Sequence, residues 1–304
     1  MKPAYLALIG AMLTAACQHA TAQPAPAEPC PPPGSDRAAL IALRDGGFDV
    51  ADEARRTALA RGLLACLADP DPVLRDGVAF EGLSRFLRAR QLPADTMRDM
   101  EARLRARLTE ADAQGFARPF AALALAELAR ADRIEPYLTP QARAALLTTA
   151  TEYVRSVRDY RGFDDREGWR HGVAHGADLL MQLALNPALG RADLDRILAT
   201  VESQITPEGH FYIYGESERL AAPVLMIARR NMYSEAEWTA WLAARAQPAP
   251  LNDWREAFSS TRGLAQRHNT AAFFNALYVN ARVTAEPAYA PLLPGIEAGL
   301  RALP

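Results

Sequence analysis

From Asp36 onward, apolar residues recur at three- and four-residue steps almost without interruption. Leu59, Leu63, Leu64 and Leu67 form one such run; Leu194, Ile197, Leu198 and Val201 form another. An α-helix, with 3.6 residues per turn, gathers residues at that spacing onto one face, whereas a strand needs strict alternation. The breaks carry proline, glycine and aspartate: Asp69-Pro70-Asp71-Pro72, Leu92-Pro93, Thr139-Pro140, Asn186-Pro187, Thr206-Pro207-Glu208-Gly209 and Gln247-Pro248-Ala249-Pro250. Proline cannot donate to the helical ladder, so these mark turns between helices. The one strand-like run, Phe211 to Tyr214, is short and lies in a loop-rich stretch, where we expect an extended connection. The expected class is all-α.

A longer period lies over the short one. Five segments share a register: Arg75 to Ala79, Arg118 to Ala122, Arg170 to Ala174, Arg219 to Pro223 and Arg267 to Ala271. Their arginines are spaced by 43, 52, 49 and 48 residues, which suits a repeated helix-turn-helix with variable loops. Asp71-Pro72-Val73-Leu74-Arg75 resembles the opening of the second helix of a HEAT repeat. We therefore expect a helical-repeat domain over residues 36–304. Its form would be HEAT-like, curved into a solenoid or closed into an α/α toroid, with the Arg-headed helices side by side.

The first residues point to export. Lys2 precedes an apolar stretch from Pro3 to Ala16 that is short for a bilayer span, and Ala20-Thr21-Ala22 offers small residues for cleavage. A signal peptide over 1–22 and a periplasmic destination follow, with lipid anchoring at Cys17 as the alternative, because Leu13 to Cys17 resembles a lipobox. Residues 23–35, rich in Pro and Ala, are expected to form an extended tether. Cleavage after Ala22 would leave Cys30 and Cys66, an even pair in an oxidising compartment and so a disulfide. No other apolar run is long enough for a membrane span.

Composition narrows the partners. Formal charge is -2, Lys2 is the only lysine, and arginines alternate with carboxylates, so no basic stripe suggests nucleic acid. No Gly-rich phosphate loop, Gly-x-Ser-x-Gly elbow, dinucleotide fingerprint or Cys-x-x-Cys pair occurs, so no common cofactor is indicated.

Chemistry concentrates between residues 168 and 180. If that stretch is helical, His171, His175 and Asp178 fall within about 60° of one another, with Val173, Ala177, Leu180 and Ala184 opposite. Two histidines one turn apart with a carboxylate one turn further is a pattern that can hold a divalent metal. Gly172 and Gly176 would let a neighbouring helix or a ligand approach. Two other segments are candidates to converge there. One runs from His210 to Ala221 and contains Tyr212, Tyr214, Glu216, Glu218 and Arg219, with Ser217 as a candidate helix cap. The other, Arg267-His268-Asn269, starts the last repeat helix, with His268 in the register of His171. The expected pocket comprises Trp169, Arg170, His171, His175, Asp178, Tyr214, Glu216, Glu218, Arg219, His268 and Asn269, on the inner side of the repeat. Its histidines, beside carboxylates, are expected to protonate readily in mild acid.

Gly168 to Leu180, Glu216 to Ala221 and His268 to Tyr278 together resemble the bacterial family known as domain of unknown function 2785. Its members carry Trp-x-His-x-x-x-His-x-x-Asp and a later Glu-x-Glu-Arg-Leu-Ala. Ser217 stands where the resemblance leads one to expect an acidic residue. The resemblance implies a helical fold and a shared polar site without naming a reaction. The leading expectation is binding of a small molecule or cell-envelope component. A hydrolase is the first alternative. It would use a metal with Glu218 as base, or Asp178 and Glu218 as an acid–base pair of glycosidase type. A protein-interaction scaffold is the second.

Overall fold

The computed structural model describes residues 29–304. The expected leader, Cys17 and the first part of the tether lie outside the described residues. The rest is overwhelmingly helical, as the periodicity requires. The α-helices are α1 (Arg37–Asp45), α2 (Glu53–Cys66), α3 (Glu81–Arg88), α4 (Ala94–Arg107), α5 (Ala117–Ile134), α6 (Pro140–Ser156), α7 (Gly172–Ala184), α8 (Arg191–Ile205), α9 (Glu216–Ala228), α10 (Glu235–Arg245), α11 (Thr261–Val283) and α12 (Leu293–Ala302). A π-helical segment, Val73–Phe80, runs directly into α3. No described helix is long and apolar enough to cross a membrane.

The breaks work as their chemistry dictates. Thr139 caps α6 by accepting the Ala142 N–H at 3.1 Å, with Pro140 in the first turn, where its missing N–H is harmless. Ser234 and Glu237 form a reciprocal capping box at the start of α10. The stretch Phe211 to Tyr214 is an extended connection.

Helices α5, α7, α9 and α11 pack each against the next, while α4 lies on α5, α6 on α7 and α8 on α9. Helices α4, α6 and α8 also touch in succession. One apolar cluster extends through these layers from Leu40 to Ile296. The repeat register is only approximate. Arg118 and Arg219 sit in the first turns of α5 and α9, Arg170 two residues before α7, and Arg75 in the π segment. Arg267 lies well inside α11, which begins at Thr261, so His268 does not start that helix.

Cys30 and Cys66 form the expected disulfide. The described end of the tether is not free. Pro32 is buried, and a Cβ added at Gly62 of α2 would come within 2.6 Å of its ring. Bonding Cys30 to the last residue of α2 lays this segment along the helix.

Candidate functional site

The polar helix α7 is not a surface helix. Packed between α5 and α9 with α6 beside it, it buries Val173, Ala177, Leu180 and Ala184 as expected, but also Ala174, His175 and Leu179. Its glycines make this approach feasible. A Cβ at Gly176 would lie 2.6 Å from Val154 Cγ2 and 3.2 Å from Tyr153 Cε1 on α6.

His171 is not in the helix, contrary to the helical projection. It is the residue just before α7, at φ +62°, a left-handed conformation that an L side chain adopts only under local constraint. The constraint is visible: its N–H donates to the Arg161 carbonyl at 3.2 Å, and the Arg170 N–H donates to the Gly162 carbonyl at 2.9 Å. A short hairpin therefore precedes the helix, pairing Phe163 with Trp169 and Asp164 with Gly168, an element the helical pattern did not suggest. Gly168, at φ +71°, seats the hairpin on the π segment, since a Cβ there would meet Arg75 and Pro72 at 3.1 Å.

The two imidazoles remain close. Their ring centres are 5.7 Å apart and nearly perpendicular. Trp169 lies 4.6 Å from His171 and 5.9 Å from Tyr214, and Phe163 5.0 Å from Trp169; on the other side Phe120 of α5 meets His175 at 5.0 Å. The result is a file of rings from α5 to the connection before α9. His171 and His175 are 8% and 6% exposed, while Trp169, over His171, is 37% exposed. The Nδ1 atoms of both histidines are buried without a hydrogen-bond partner, as is the Ser217 hydroxyl. Ser217 is not the cap of α9; that position belongs to Gly215, at φ +85°.

The expected carboxylate neighbours are elsewhere. Asp178 Oδ1 accepts from Arg219 Nε at 2.7 Å, and its Oδ2 is held by Arg219 Nη2. His171, His175 and Asp178 are thus not arranged as three ligands around one centre, and among the described residues no group of three His, Cys, Asp or Glu is. The expectation of easily protonated histidines is corrected too. Burial, then the Arg219 charge, push His171 down to about 4. Burial drives His175 well below its usual value, helped by His171, Arg219 and Arg75 and opposed by a hydrogen bond to the Pro119 main chain. Proline offers only a carbonyl there, so the ring donates. With Nδ1 unpartnered, the donor is Nε2 and Nδ1 carries a lone pair.

Of the remaining expected residues, Glu216 is buried, and its Oε2 accepts the Tyr214 N–H at 2.9 Å. Burial raises its pKa, against the opposing pull of main-chain hydrogen bonds. Glu218 is exposed. His268 and Asn269 serve the connection before α9. His268 Nε2 is 3.1 Å from the Tyr212 carbonyl, while Asn269 accepts the Tyr212 N–H at 2.9 Å and donates to the His210 carbonyl at 2.8 Å. They pin the segment that carries Tyr214 to Trp169. Arg170 is buried, 4.2 Å from the Phe116 ring, with its guanidinium on the Gln114 carbonyl and Glu167.

The sequence reading missed Arg75, Phe116, Phe120 and Phe163. Arg75 is fully buried and holds Asp76 at 2.9 Å and the Glu167 carbonyl at 2.6 Å, 4.2 Å from Phe116 and 4.8 Å from Phe120. Its signal was the repeat register, which placed Arg75 and Phe120 at helix starts equivalent to that of His171.

In comparison with known proteins, the family model described as "Protein of unknown function (DUF2785)" matches residues 104–279, more than half of the chain. Neither a curated protein nor a solved structure matches.

Proposed function

Because this chain belongs to the DUF2785 family of unknown function, we propose, from the geometry alone, that it is a binding protein. Its ligand would be a small molecule or cell-envelope component, taken up at the His171–His175 pair beneath Trp169. The observation that carries the reading is the pair of Nδ1 atoms, closed off from solvent and without donors. A buried polar atom left unpaired costs roughly 1–3 kcal/mol, and two such atoms next to a left-handed backbone call for an explanation beyond packing. A ligand N–H or O–H reaching His175 Nδ1, and a polar group meeting His171 Nδ1, past Trp169 would repay that cost, and the surrounding rings offer a flat apolar wall. Burial keeps the rings neutral, and the nearby charge of Arg219, with Arg75 adding a smaller effect on His175, disfavours a cationic occupant and hence the metal reading.

Placed in this reading, residues 36–304 are a HEAT-like repeat in which the file α5, α7, α9, α11 forms the inner, curved side. Export through a leader over 1–22, with lipid anchoring at Cys17 as the alternative route, accords with the disulfide. An acid–base hydrolase is less favoured, because both oxygens of Asp178 belong to Arg219.

The test uses Trp169 as reporter. Purified protein is titrated with fractionated envelope extract and a small-molecule library, following tryptophan emission and thermal stability. A ligand should shift both, with the emission change lost in Trp169→Phe and binding weakened at least tenfold in His175→Leu. Ligands that bind the wild type and His175→Leu equally would end the proposal.

A further inference from the structure

A cavity of about 410 Å³ opens where the ends of α3 and α5 meet the start of α4. It is remote in composition from the histidine pair, sharing none of its residues. Leu92, Met97 and Ile134 give it an apolar floor, and Ile134 is 40% exposed. Four arginines, Arg88, Arg90, Arg98 and Arg130, line it, with Glu135 as the only acidic side chain in the lining.

These arginines are not equally occupied. Arg88 is paired with Glu127, its Nε donating to Oε2 at 2.8 Å. Arg90 reaches Glu135 at 3.7 Å. Arg98 makes a single long contact, donating to the Tyr137 carbonyl at 3.3 Å. Arg130, on the penultimate turn of α5, has no hydrogen bond or ion pair with the described residues, and its charge helps burial to depress the pKa of Arg133. Two guanidinium groups therefore face the mouth with their charge uncompensated. A mouth of that sign over an apolar floor matches a molecule with an anionic head and a hydrocarbon tail. Guanidinium binds planar carboxylate or phosphate oxygens two at a time, and the volume lies in the range of small-molecule sites.

We propose that this cavity binds a single-chain amphiphilic anion, its head on Arg98 and Arg130 and its tail against Leu92, Met97 and Ile134. The shared chemistry admits two sources, a long-chain carboxylate or a monoalkyl phosphate.

The experiment is displacement of a fluorescent polyene fatty acid from the full chain. Dodecanoate and dodecyl phosphate are the anionic competitors, and methyl dodecanoate is the uncharged control. Saturable binding is expected, displaced by at least one anion and at least tenfold more weakly by the ester. Whichever anion displaces better identifies the source. Arg98→Ala/Arg130→Ala should weaken binding at least tenfold, and Ile134→Glu should abolish it. Arg98 and Ile134 are exposed and Arg130 is half-buried, and melting curves check that the variants fold. Absence of saturable binding, equal displacement by the ester, or variants that bind like wild type would overturn the proposal. Each outcome is independent of the histidine site, none of whose residues lines this cavity.

Discussion

Arg219 on α9 grips both carboxylate oxygens of Asp178 on α7, joining neighbouring helices at the end where the histidine pair lies. The same guanidinium lowers the pKa of His171. One cation thus ties the two helices together and adds to the burial that keeps His171 neutral. Arg219→Met should destabilise by about 1–3 kcal/mol, kept modest because the arginine is only half-buried, and should raise the His171 pKa from about 4. Adding Asp178→Asn should recover part of the stability. Chemical denaturation and imidazole NMR titration read the two effects separately; an unmoved His171 would refute the coupling.

Stability should fall in acid because of the histidines. The folded His171 is depressed to about 4 while the unfolded ring keeps its ordinary value near 6.5. Between those values the unfolded chain binds a proton that the folded chain refuses, so the contribution is full above pH 6.5 and is lost as pH falls through 4. The loss is on the order of 3 kcal/mol. Denaturation curves of wild type and His171→Phe at several pH values should diverge in this window, with the variant less acid-sensitive. Parallel curves would count against the depressed pKa.

The Cys30–Cys66 disulfide closes a loop with a sequence separation of 36 residues. Loop-closure entropy assigns such a link about 4 kcal/mol. Cys30→Ser/Cys66→Ser should lower the denaturation midpoint accordingly. Two titratable thiols in oxidised, denatured protein would show that the bond does not form.

Gly176→Ala should destabilise despite alanine's better helix propensity. The added methyl meets a stiff β-branched neighbour, Val154, at 2.6 Å. Overpacking of about 1–3 kcal/mol outweighs the roughly 1 kcal/mol gained in the helix. Combining it with Val154→Ala should restore part of the loss; additive destabilisation in the pair would contradict the packing account.

Asn269→Ala should loosen residues 207–215 first. Two main-chain groups, the Tyr212 N–H and the His210 carbonyl, lose their partner, at roughly 1–3 kcal/mol. Hydrogen exchange should rise in that connection before it rises in α9 or α11. Uniform acceleration across the chain would mean that the clamp is not local.

The sequence by itself determined the helices, their breaks and the cysteine pair. The helices and their breaks rest on short-range physics: a 3.6-residue apolar period and prolines that cannot continue a helix. It also singled out Trp169, His171 and His175, whose rings do lie together. What it could not determine was the partner of each charge. Helical spacing put Asp178 beside the histidines, yet an arginine 41 residues away in sequence took both its oxygens. Nor could the spacing show that α7 is enclosed between α5 and α9 rather than half-solvated. That burial reverses the expected pKa direction, because desolvation and Arg219 act on the rings instead of carboxylates. His268 shares a register with His171 but bonds to a connection arriving from α8. Repeat register fixes where a side chain starts, and only the packing of the file decides what it meets.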